Sequence, residues 1–100
     1  MPEAEYLIRP SSHEGWLVIP ADSLAEVLAP HGSNAEPGAG FGDFHLRAPG
    51  YEISFSNEDP GWQVSFDGDI SQLNSDELIS QIARQIQDAT GISTEWLRYT

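Results

Sequence analysis

Three histidines, at positions 13, 31 and 45, are the side chains in this chain suited to moving a proton near neutral pH. Around His45, Asp43 with Ser54 or Ser56 supplies the other residue types of a Ser–His–Asp relay, in which the imidazole takes the hydroxyl proton and the carboxylate orients the ring. That chemistry also needs the serine presented on a sharp turn, such as the one G-x-S-x-G forms, and no such motif occurs. Polar residues of these types recur along the whole chain, so triples of this kind arise without design. No catalytic residue is assigned, and the three histidines are expected at the surface or in ordinary hydrogen bonds.

Two other patterns invite a ligand. Gly38, Gly40 and Gly42 have the spacing of a phosphate loop, but no strand feeds them, no helix follows, lysine is absent, and Asp43 would face the phosphate. Asp67, Gly68 and Asp69, with Glu58 and Asp59 across a loop, offer oxygen donors of the kind calcium takes. Their spacing does not match the twelve-residue loop that needs acids at positions 1, 3 and 5 and a glutamate at 12. Cysteine is absent, which removes thiol chemistry, disulfides and cysteine-ligated zinc. No metal and no cofactor is expected.

Charge is the strongest chemical signal. Sixteen Asp and Glu stand against four arginines and no lysine, a formal net charge of −12. The excess is spread along both halves of the chain. Such a field repels phosphate backbones and anionic membranes, so direct nucleic-acid or membrane binding is disfavoured and a basic protein partner is favoured. The function this points to is a small acidic, non-catalytic binding protein that occludes a basic protein surface, as an inhibitor, an immunity or antitoxin-type protein, or a nucleic-acid mimic would. The partner-binding residues expected are Glu58, Asp59, Asp67, Asp69, Asp76 and Glu77, because no positive side chain falls between Arg47 and Arg84. These acids are also good turn formers and helix caps, a plainer use of the same side chains. The alternative is a small enzyme or ligand-binding domain with its site at the glycine-rich loop and polar sheet face near His45. An exposed tryptophan among acids would mark an interface. Trp62 has core parity, whereas Trp96 and Leu97 must face opposite sides of a strand.

The elements that hold these residues begin with 43–67. Phe44, Leu46, Tyr51, Ile53, Phe55, Trp62, Val64 and Phe66 alternate with polar residues, the pattern of a three-stranded antiparallel meander apolar on one face. Pro49 and Gly50 suit a type II turn between its first two strands. Before it, 4–9 and 16–19 read as strands ended by Pro10 and Pro20, and Ser23 with Glu26 reads as a capping box opening a short helix. Residues 30–42 are a glycine- and proline-rich loop, expected to be flexible, with Phe41 as its one sizeable apolar anchor. Asn74 with Glu77 is expected to open a second helix carrying Leu78, Ile79, Ile82, Ile86 and Ala89 on one stripe, closed by Gly91, and 92–100 to return as a strand, with a short terminal helix capped by Thr94 as the alternative. The result is one α+β domain, order ββαβββαβ, mostly antiparallel, with both helices on one face of the sheet. Residues 1–9 carry Glu3 and Glu5 and no basic region, and no apolar run approaches the about 20 residues of a spanning helix, so a cytoplasmic, soluble protein is expected.

Overall fold

The computed structural model describes residues 4–40, 42–58 and 61–99. Period-two alternation over 43–67 becomes three strands, β3 (Phe44–Ala48), β4 (Tyr51–Glu58) and β5 (Gly61–Gly68). The two-residue turn at Pro49 and Gly50, with Gly50 at φ 90°, sets Ala48 opposite Tyr51 and therefore His45 opposite Ser54. β1 (Ala4–Pro10) lies beside β5, and β6 (Thr94–Arg98) returns to the free side of β1. With β2 (Glu36–Pro37) against β3, the sheet has six antiparallel strands in the order β2-β3-β4-β5-β1-β6. The α+β class and the helices on one face are as the sequence indicates.

Three local expectations give way. Residues 16–19 stay outside the sheet, although their burial alternates as a strand's would, and the short strand comes instead from Glu36 and Pro37 inside the glycine-rich loop. The helix α2 (Gln72–Thr90) starts earlier than Asn74: Ser71 is its N-cap, and the Ser71 hydroxyl accepts the Asn74 N–H at 3.2 Å. The helix α1 (Leu24–Leu28), entered through a 3₁₀ turn at Ala21–Ser23, has no side-chain cap from Ser23.

α2 buries Ser75, Ile79, Ile82, Ala83 and Ile86 against the apolar sheet face, while Ala89 is exposed. The core there comprises Tyr6, Ile8, Leu46, Ile53, Phe55, Trp62, Val64 and Phe66 with Val27 and Leu28 of α1. Gln85 ties the two helices together. Its side-chain amide donates to the carbonyls of Val27 and Ala29, both at 2.8 Å, which satisfies the end of α1. None of the described helices is long and apolar enough to cross a membrane.

Candidate functional site

The hairpin register decides where the six expected acids go. Asp67 pairs with Glu52 near the Pro49–Gly50 end of the sheet, whereas Glu58 pairs with Gly61 at the other end of the same hairpin, roughly 20 Å away for strands of this length. Asp59 lies outside the described residues. Asp69 follows β5 directly and its backbone N–H donates to the Gly50 carbonyl at 2.7 Å, which brings it beside the turn. Glu77 reaches the same end from α2. Asp67, Asp69 and Glu77 are therefore gathered around Tyr51, the first residue of β4.

Asp76 is adjacent to Glu77 in sequence but turns the other way. Its carboxylate accepts the Tyr6 hydroxyl at 2.6 Å and Arg98 Nη1 at 3.2 Å, so it is committed to the fold. Burial, and then the bond to Asp76, holds the Tyr6 phenol above its ordinary value of 10.0.

Between the Pro49–Gly50 turn and the first turns of α2 is a concavity of about 350 Å³. Tyr51, Ile70 and Leu78, each packed against the core, form its apolar floor, and Asp69 and Glu77 stand at its rim. Neither rim carboxylate makes a hydrogen bond or ion pair among the described residues. No arginine lines this groove.

The open face of the sheet carries a second arrangement, partly foreseen. Ser54 Oγ lies 3.0 Å from His45 Nδ1, and His45 Nε2 lies 2.7 Å from Glu52 Oε1. With Glu52 ionised, Nε2–H donates to the carboxylate and Nδ1 accepts the serine hydroxyl. The acid of this chain is Glu52 and not Asp43, whose carboxylate accepts the Asn57 N–H at 2.7 Å. The bond from His45, ahead of the nearby Arg47, holds the Glu52 carboxyl below its ordinary 4.5. His45 is only 7% exposed although it belongs to the polar face, because the loop before β3 crosses it: a Cβ on Gly40 would collide with the imidazole. Gly38 N–H donates to the His45 carbonyl at 3.0 Å, and Arg47 donates to the Ala39 carbonyl at 3.3 Å. Phe41, the expected anchor of this loop, lies outside the described residues.

His13 and His31 make ordinary polar contacts, with Glu95 and the Glu26 carbonyl. Among the described residues no group of three His, Asp or Glu is placed to hold a metal ion. Trp96 faces the helices, its N–H donating to Ser80 Oγ at 3.1 Å, and Leu97 takes the open face. The exposed tryptophan is Trp16, beside the exposed Val18. Tyr51, Ile70 and Leu78 were missed as surface residues because their apolar character reads as core. The two-residue turn does carry the signal for Glu52, since it fixes Arg47 opposite Glu52 and so sets Glu52 diagonal to His45.

No family model matches the chain, and neither a curated protein nor a solved structure matches it significantly.

Proposed function

We propose that this protein is a small acidic, non-catalytic binding protein that occludes a basic surface of another protein, in the manner of an inhibitor, an immunity or antitoxin-type protein or a nucleic-acid mimic. The observation that carries this reading is the use made of the arginines. Arg9 is paired with Glu95 at 2.7 Å, Arg98 with Asp76 at 3.2 Å, and Arg47 lies 3.6 Å from Glu52. Three of the four cations are thus spent within the molecule, while Asp22, Glu26, Glu36, Asp69, Glu77 and Asp88 are exposed. A partner approaching through solvent meets a predominantly negative field, which raises association rates for a basic surface by about 10- to 1,000-fold and disfavours nucleic acid.

The test is capture of partners from the native lysate at low and high salt, followed by association kinetics with whatever is captured. Between about 50 and 500 mM salt the Debye length shrinks from roughly 14 to 4 Å, and the association rate is expected to fall steeply. A rate that stays flat over that range removes the reading.

One observation favours a second reading, hydrolytic or ligand-binding chemistry at the open face: the hydrogen-bonded series Ser54, His45, Glu52 supplies a nucleophile, a base and an orienting carboxylate. Against it stands the covering of the His45 ring by the Gly40 backbone. Covalent labelling of Ser54 by a fluorophosphonate probe, lost in Ser54→Ala, would establish this chemistry; an unlabelled protein excludes a reactive serine there.

A further inference from the structure

We infer that the groove between the Pro49–Gly50 turn and the start of α2 is the seat for one arginine side chain of the basic partner, a deepening that rests on the binding reading above. The inference comes from what the groove combines. An acidic rim alone would attract any cation, and an apolar floor alone would attract any aliphatic side chain. Here Tyr51, Ile70 and Leu78 form a floor continuous with the core, and two unpaired carboxylates, Asp69 and Glu77, stand above it. A guanidinium suits that pairing of surfaces. It is planar and weakly hydrated, it can lie on the face of a tyrosine, and its fork of N–H donors matches carboxylate geometry. A lysine ammonium is more strongly hydrated and presents no plane to the ring.

The size fits one side chain. A concavity of about 350 Å³ has room for a guanidinium together with its aliphatic stem. The rigidity fits as well. The Asp69 backbone is tied to Gly50, Glu77 stands on a helix of 19 residues, and Tyr51 is locked in the β3–β4–β5 register, so little ordering is required when the ligand enters. No internal arginine occupies the place, because Arg9, Arg47 and Arg98 are held by Glu95, Glu52 and Asp76, and Arg84 does not line the groove.

The experiment is a ¹⁵N-detected NMR titration of the whole chain with the peptide acetyl-Gly-Arg-Gly-amide and its citrulline and lysine counterparts. The expected result is saturable shifts centred on Tyr51, Asp69, Ile70, Glu77 and Leu78. The citrulline peptide, with the same shape and no charge, should bind at least tenfold more weakly, and the lysine peptide severalfold more weakly. Asp69→Asn with Glu77→Gln should reduce arginine-peptide affinity at least tenfold. Asp22→Asn with Glu26→Gln, which removes the same charge outside the groove, should change it less than twofold. Tyr51→Leu, which leaves the charge alone, should weaken binding severalfold. Equal loss in the two double variants, or shifts scattered over the whole surface, overturns the groove while leaving the acidic-binder reading standing. Equal binding of the citrulline peptide overturns the groove as a seat for a charged guanidinium, whereas the acidic-binder reading falls only on the flat association rate named above. Equal binding of the lysine peptide overturns the assignment to arginine, and no saturable shift with any peptide overturns the groove as a seat.

Discussion

The indole N–H of Trp62 donates to the main-chain carbonyl of Leu17 at 2.9 Å, in the interior and 45 residues apart in sequence. In the segment 16–19, which stays outside the sheet, a side chain takes the place of a ladder partner for the Leu17 carbonyl. Leu17 and Ile19 face the core, and Trp16 and Val18 are left outside. Trp62→Phe keeps most of the ring and removes the donor, leaving the carbonyl unpaired. It should cost about 1–3 kcal/mol in a urea melt and speed proteolysis within residues 11–20. Unchanged cleavage would show that the apolar contacts of Leu17 and Ile19 hold the segment by themselves.

A second buried group makes an alkaline prediction. The Tyr6 ring sits edge-on to Phe66 and Trp96, and its hydroxyl reaches Asp76 at 2.6 Å and Ser75 Oγ at 2.7 Å. Tyr6→Phe should destabilise by about 1–3 kcal/mol, since one of the lost partners is charged. The phenol is raised in the folded state, so its contribution is fully present below 10 and lost as pH rises through the folded value. The stability gap between parent and variant should therefore be level from pH 7 to 9 and narrow above 10. A gap that widens there would mean that burial does not oppose the phenolate.

The residues that were legible and those that were not differ in one physical respect. Phe44 to Phe66 could be placed because each takes its position from a local period and a turn, and Gly91, at φ 74°, ends α2 as its type indicates. Asp67, Asp69 and Glu77 were named from sequence and meet at one end. Asp76 was named with them but takes Tyr6 and Arg98, partners 70 and 22 residues away that no local pattern reveals. The strand read at 16–19 failed for the same reason, and the cover over His45 on the polar face was equally illegible, since it comes from a glycine whose only signal is a missing side chain.

That cover can be tested by adding one carbon. A Cβ at Gly40 would occupy the space of the His45 ring, so Gly40→Ala must lift the loop or move the imidazole; either should cost about 1–3 kcal/mol. His45 should then react faster with diethyl pyrocarbonate. Gly38→Ala is the control, because its Cβ would meet Arg47 Cβ at an ordinary 3.6 Å, and it should stay within about 0.5 kcal/mol of the parent. Equal behaviour of the two variants would show that the loop does not rest on His45.

The acid side of the stability curve should have two opposed parts. At neutral pH sixteen carboxylates repel one another across a small domain, and protonating the unpaired ones as pH falls relieves that repulsion and favours the fold. Glu52 and Glu95 act in the other direction. The first is held below the ordinary 4.5 chiefly by the hydrogen bond from His45, the second chiefly by that from Arg9. A carboxyl lowered on folding contributes stability that is present above its unfolded value and lost as pH falls through the folded one. Their contribution should therefore persist above about 4.5 and disappear below it, after most of the repulsion has gone. Glu52→Gln with Glu95→Gln isolates that part, since both variants keep an acceptor while losing the titration. Urea melts of parent and double variant should converge as pH drops below about 4.5 through the folded carboxyl values. Curves that show no convergence between pH 4.5 and 3 would show that these two carboxylates gain nothing from His45 and Arg9.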